Sequence, residues 1–197
     1  MYTVVKRFEK ALCKYTGAKY AVTTNSCTMA LLLACIYHKV GEVTIPKRTY
    51  ISVPMSIIQA GGTVKFEDEA WFGAYQLKPY PIWDTARLFT SDMYEPDQFQ
   101  CVSFHWKKTL NIGQGGVILH DDPKADEWFR KARFHGRTEG VEPVDDDIKI
   151  IGWHGYMPPA DAAEGLTRLS FLPKHNNPLP LDDYADLSKL NIFKHGG

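Results

Sequence analysis

The chain has no CxxC pair and no cysteine–histidine grouping at zinc spacing. That argues against a zinc module or a thiol–disulfide centre. Its four cysteines, Cys13, Cys27, Cys35 and Cys101, read as reduced thiols, which suits a cytoplasmic location. There is no excess charge, because 23 basic and 23 acidic side chains cancel. No global field then draws the chain to nucleic acid or to a membrane surface, and neither is expected as a partner. The longest apolar run, from Met29 to Tyr37, is too short to span a bilayer. The opening stretch MYTVVKRFEKALCKY carries charges inside its apolar pattern and does not read as a leader peptide. Internal repeats and low-complexity segments are also missing. What remains is an ordinary globular composition, 44% hydrophobic and 23% charged over 197 residues, enough for one sizeable core.

The patterning is that of alternating helices and strands. Val4, Val5, Phe8, Leu12 and Tyr15 recur at helical spacing, which predicts a helix over 4–15 closed by Gly17. Tyr20 to Thr24 reads as a strand, and Ser26 offers an N-cap for an apolar helix from Cys27 to Tyr37. A strand over Glu42 to Ile45, a helix over Ile51 to Ala60 and a strand over Thr63 to Glu67 follow. Residues 68–80 read as irregular. Further strands are predicted at Pro81 to Asp84, Phe99 to Phe104 and Val117 to His120. Asp122 caps a helix running to Arg133, and Pro158 opens another that ends at Phe171. The alternation predicts an α/β fold with a mainly parallel sheet flanked by helices. Residues 1–136 are expected to form the core, and 137–197 a reduced C-terminal segment with one helix and an extended tail.

Four places can carry chemistry. The strand-to-helix junction Thr24 to Met29 presents free N–H groups and hydroxyls, which either bind an anion such as phosphate or simply cap the helix. Asp84 ends an apolar strand, where an acid faces the crevice in which such sheets bind ligands; a salt bridge to Arg87 is the plainer reading. Lys107 and Lys108 precede a glycine turn among aromatics. A desolvated lysine there becomes an amine nucleophile, and the residues alone do not choose between the two. Tyr50 follows a strand end and either stacks on a flat ligand or fills the core rim. In order these are an anion site, an aromatic, an acid and an amine, the groups that a phosphorylated pyridine aldehyde needs.

The stretches FEKALCKYTGAKYAVTTNSCTMALLLA, VTIPKRTYISVPMSIIQAGGTVKFED, WDTA, SFHWKKTLNIGQGG, ARFHG and GYMPPADAAEGLTRL occur in one order along the chain. In this the sequence resembles the DegT/DnrJ/EryC1/StrS aminotransferases, fold-type I enzymes that use pyridoxal 5′-phosphate on nucleotide sugars. The resemblance implies that Lys108, not Lys107, is the Schiff-base lysine and that Asp84 pairs with the pyridine nitrogen. It implies that Thr28, the backbone of Met29 and Ser103 hold the phosphate. Tyr50 matches the stacking aromatic, and Arg87 stands where relatives approach the phenolic oxygen with Gln or His. His154 and Tyr156 fall in a segment that reaches into a neighbouring subunit's site, so a homodimer is implied.

The implied reaction is a ping-pong transamination, with glutamate as amino donor and a nucleotide-linked keto sugar as acceptor. Some features depart from the family pattern. Gln114, Tyr156 and Cys27 replace a usual Glu, Arg or Asn, and Gly. A strand–helix unit is missing between Phe66 and Pro81, and little of the small domain follows Leu172. Two further readings stay open: a pyridoxal-phosphate enzyme on another amino or keto compound, and a non-catalytic remnant of the fold.

Overall fold

A computed structural model describes residues 2–194. Helix α1 (Tyr2–Thr16) leads into strand β1 (Tyr20–Thr24), then α2 (Cys27–Tyr37), β2 (Glu42–Pro46), α3 (Ser52–Gln59) and β3 (Thr63–Glu67). Short strands β4 (Tyr75–Gln76) and β5 (Ile82–Asp84) precede β6 (Phe99–Ser103) and β7 (Gly116–His120). Helices α4 (Pro123–Ala132) and α5 (Pro159–Phe171) complete the regular structure. Two short 3-10 turns follow at Leu187–Lys189 and Asn191–Phe193. The caps follow the sequence: Ser26 Oγ accepts from Met29 N, and Asp122 accepts from Lys124 N and Ala125 N.

The sheet is mixed, not mainly parallel as its alternation predicts. One sheet runs β1-β7-β6-β5-β4, and β2-β3 form a second, parallel pair. In the larger sheet only β5 and β6 are parallel. Two connections explain this. Residues 104–115 return from β6 to β7 without a crossover helix, so those strands must run antiparallel. A tight return after Gln76 pairs β4 antiparallel with β5. Lys78, just beyond β4, exchanges two backbone hydrogen bonds with Thr44 of β2, at 2.8 and 3.1 Å. The segment that reads as irregular therefore supplies a short strand that joins the two sheets.

Two apolar clusters cover the two faces. Leu33, Ile45, Ile57, Ile82, Phe99, Cys101, Ile118 and Phe129 pack on the face carrying α2, α3 and α4. Phe8, Leu12, Val102, Phe104, Val117, Leu119, Ala162 and Leu169 pack on the face carrying α1 and α5. Neighbouring residues of β6 and β7 alternate between the clusters, as the two-residue period of a strand buried on both faces requires. Every residue of β6 and β7 is buried. Gly165 of α5 lets Phe8 lie directly against the helix, since a Cβ there would sit 2.4 Å from the Phe8 ring.

A buried ion network ties α1 to α4. Glu9 is 3% exposed and takes Arg133 Nη1 at 2.5 Å, Arg130 Nη1 at 2.7 Å, and the Thr23 N–H and hydroxyl. Burial pushes the Glu9 carboxyl up, but the two guanidiniums outweigh it and hold it below the ordinary range.

For His120 burial outweighs the nearby carboxylates of Asp126 and Asp122. It lies fully buried between the rings of Tyr20 and Phe99, and among the described residues neither ring nitrogen has a hydrogen-bond partner. Burial pushes its pKa down from 6.5 to about 4. The unfolded chain therefore binds this proton first, so stability falls as pH drops from 6.5 towards 4. The loss should reach on the order of 3 kcal/mol at pH 4. His120→Leu should remove that share of the acid destabilisation in denaturant melts at pH 7 and pH 4.5. An unchanged difference between the two pH values would contradict this account of His120.

Candidate active site

Register places the site. Gly116 pairs with Thr24 of β1 on one side and with Ser103 of β6 on the other. The ends of β1 and β6 therefore lie in one row. Asp84, the last residue of the parallel neighbour β5, pairs with Cys101 near the same edge. Chain ends gathered at one edge of an α/β sheet form a crevice. Gly116 also lets α2 begin there: a Cβ on it would lie 2.6 Å from the Cys27 nitrogen. The second residue of the glycine pair is thus required by the close approach of the helix start.

The crevice is a cavity of about 540 Å³, within the size range of ligand pockets. Thr28, Tyr50, Asp84, Arg87, Ser103 and Lys108, six of the residues expected from the sequence, all line it. Asp84 forms part of its buried wall, 5% exposed. The Tyr75 hydroxyl donates to Asp84 Oδ2 at 2.9 Å, and the Ala86 N–H donates to Oδ1 at 2.9 Å. Behind Tyr75, the Thr49 hydroxyl lies 2.5 Å from the phenol. Burial pushes the Asp84 carboxyl up, and these donors together with the charges of Lys108 and Arg87 pull it back only in part. A further cationic N–H donor, such as a protonated ring nitrogen, would favour the ionised form.

Lys107 and Lys108 both line the cavity but differ in burial. The loop between β6 and β7 is pinned by buried Phe104, Leu110 and Ile112 and by backbone bonds such as Trp106 N to Gly113 O. Lys107 is exposed, with its ammonium over the outward Trp106 ring at 5.0 Å. Lys108 is half-buried and within electrostatic reach of Arg87, Asp84 and Cys27. Burial and the Arg87 charge lower its pKa, and Asp84 opposes them. A larger share of free amine at neutral pH follows.

At the helix end, the Thr28 hydroxyl donates to Ser52 Oγ at 2.8 Å, and Ser103 is 7% exposed. These hydroxyls and the start of α2 make a polar pocket suited to an anion. Met29 lies outside the cavity lining, and its N–H is already given to Ser26 Oγ at 3.1 Å. His154 and Tyr156 are also outside it. They cluster with His135 on the surface, with His154 Nδ1 3.1 Å from His135 Nε2. Tyr50 stands at the rim, 58% exposed.

Several lining residues carry no local signal in the sequence. Trp71, fixed by its Nε1 donating to Arg48 O at 2.9 Å, lies in the segment that reads as irregular. Asp182 and Tyr184 come from the tail, which folds back onto the cavity. Arg87, 7% exposed, donates through Nη1 to Asp182 Oδ2 at 2.7 Å and to the Tyr184 hydroxyl at 3.2 Å. An acid and an aromatic stand in that proline-rich tail, but only the return of the chain gives them a role.

An α/β core of fold-type I, with an acid, a lysine and a helix start at one sheet edge, defines a class of pyridoxal-phosphate enzymes. A sequence profile described as the DegT/DnrJ/EryC1/StrS aminotransferase family matches residues 1–71 and 93–178, and the chain belongs to that family. The fold is similar to Helicobacter pylori PseC, an aminotransferase of pseudoaminic acid biosynthesis. The identity is 18% and the TM-score 0.73, over 87% of this chain and 58% of that one. It is similar to S. venezuelae DesV (19%, TM-score 0.71, 87% and 57%). It is also similar to 3-amino-5-hydroxybenzoic acid synthase (20%, TM-score 0.72, 86% and 56%). The chain thus spans less than two thirds of the length of each.

The environment of Lys108 can be tested directly. Its modification by an amine-selective acylating reagent should rise with pH around a midpoint below the ordinary lysine value of 10.5. Asp84→Asn should move that midpoint down and Arg87→Gln should move it up, by peptide mass spectrometry. Unmoved midpoints in both variants would contradict the electrostatic account.

Proposed function

We propose that the cavity binds pyridoxal 5′-phosphate and that the protein is an aminotransferase, with glutamate as amino donor and a nucleotide-linked keto sugar as acceptor. The observation that carries this reading is the convergence of Asp84, Lys108 and the Thr28, Ser52 and Ser103 hydroxyls on one cavity. The residues fit the group: a buried acid for the ring nitrogen, a desolvated amine for the aldehyde, hydroxyls at a helix start for the phosphate. When bound, the cofactor supplies an aldehyde that takes up an amine and a ring that accepts the electron pair left at the donor's α-carbon.

The chain's own groups do the rest. Asp84, held by Tyr75 and the Ala86 N–H, would face the ring nitrogen and favour its protonated form. Lys108 Nζ would serve as the base that takes up, and the acid that returns, the proton of the donor's α-carbon. Arg87 keeps a positive charge beside Lys108 and favours the neutral amine needed for that transfer. Tyr50 and Trp71 offer ring faces at the cavity wall.

The reading includes a homodimer in which His154 and Tyr156 contribute to a second copy's cavity, and their placement outside their own supports it. Four free cysteines suit a reducing compartment such as the cytosol. Among the described residues no helix is long and apolar enough to cross a membrane. A second reading, a pyridoxal-phosphate enzyme acting on another keto compound, draws support from the likeness in fold to 3-amino-5-hydroxybenzoic acid synthase.

Incubation with pyridoxal phosphate followed by borohydride should leave a pyridoxyl group on Lys108 in peptide mass spectra. Lys108→Ala should lose the label and Lys107→Ala should keep it. A label on Lys107, or none, would overturn the assignment. Glutamate with a panel of nucleotide keto sugars should then yield an amino sugar; failure with all of them, given a labelled Lys108, favours the second reading.

A further inference from the structure

The tail closes one side of the cavity, and its hold there is unusual. The chain is anchored at Leu179, whose N–H donates to Arg87 O at 2.8 Å. It is anchored again at Leu187, which is 3% exposed and donates to Lys47 O at 2.9 Å. Pro178 lies against Gly73, where a Cβ would come within 3.1 Å. Between the anchors, Leu181, Asp182 and Asp183 are exposed.

The side chains that tie this span to the cavity are Asp182 and Tyr184. Both meet Arg87 Nη1. The guanidinium is buried, whereas the Asp182 side chain is 57% exposed. The contact is single-pronged, through Nη1 alone, although a guanidinium and a carboxylate can pair through two parallel hydrogen bonds. Nη2 has no hydrogen bond to another described residue. A buried cation needs a counter-charge, and an exposed carboxylate held through one nitrogen is one that a ligand can replace.

We propose that Arg87 is the receptor for a substrate carboxylate, and that Asp182 is the internal carboxylate it holds until a substrate displaces the tail. The class of ligand is a carboxylic acid small enough for the cavity, the amino donor or its keto-acid product. The assignment rests on the aminotransferase reading for the identity of that acid, but not for the contact itself. Tyr184 and Trp71, whose rings stack at 6.2 Å, then serve as the hinge side of the span. Exchange of Asp182 for a two-pronged carboxylate keeps the charge of Arg87 satisfied throughout. It also couples substrate entry to opening of the wall.

Glutarate, which cannot react, serves as the probe, with glutaramide as its neutral control. Calorimetry on the full chain, before and after loading with pyridoxal phosphate, should show glutarate binding and no glutaramide binding. Asp182→Asn should tighten glutarate by about tenfold, the equivalent of roughly 1.4 kcal/mol from removing a competing charge. Arg87→Gln should abolish binding. A gain of affinity in Asp182→Asn cannot arise from misfolding, so the test survives if Arg87→Gln is unstable. Saturating glutarate should also speed chymotryptic cleavage at Leu181 or Tyr184 several-fold. Equal affinity in Asp182→Asn and the parent, or slower cleavage with glutarate, overturns the proposal. Absence of pyridoxyl label on Lys108 overturns the aminotransferase reading instead, and the two failures are read independently.

Discussion

Burial of the Asp84 carboxylate at the end of β5 organises the candidate site. An ionised acid with 5% exposure is costly unless donors and cations surround it. Here they come from three separate pieces of chain: Tyr75 from β4, Ala86 and Arg87 from the turn after β5, and Lys108 from the β6–β7 loop. Satisfying one carboxylate draws those pieces to the same sheet edge. Asp84 is only partly compensated by them, and this leaves room for one more positive donor. The need for a counter-charge thus becomes a capacity to bind.

The same electrostatics explains why two cations sit close together in the cavity. Arg87 raises the cost of protonating Lys108, and Asp84 and Asp182 keep the pair from being prohibitive. The tail is therefore part of the charge balance and also covers the core. Residues 178–187 wall the cavity by folding back over it.

Much of the fold can be read from local patterns. Helix and strand boundaries from Tyr20 to Glu67 follow from caps, apolar period and glycine placement, since each is decided within a few residues. Strand direction cannot be read that way. It depends on whether the connection between β6 and β7 is a helix or a returning loop, and on a β4 of two residues, too short to show a strand period. The site divides similarly. Asp84, Ser103 and Lys108 stand at strand ends or before the glycine pair, where position alone singles them out. Lys107 and Lys108 differ only through burial: one rides over Trp106 in solvent and the other is half-buried within electrostatic reach of Asp84. Asp182 and Tyr184 are legible only once the tail's return is known, because no local period marks a segment that gains its role from residues far back in the chain. Met29 shows the reverse case, a donor at the expected place whose hydrogen bond is already taken by Ser26.

The central claim is that the acid at the end of β5 and the half-buried lysine address the same bound ring from two sides. A crystal structure of the protein grown with pyridoxal phosphate tests it most directly. The account predicts the ring nitrogen within hydrogen-bond distance of the Asp84 carboxylate, and continuous density from the ring to Lys108. A vacant crevice with Asp84 turned away, or a ring attached elsewhere, would contradict it.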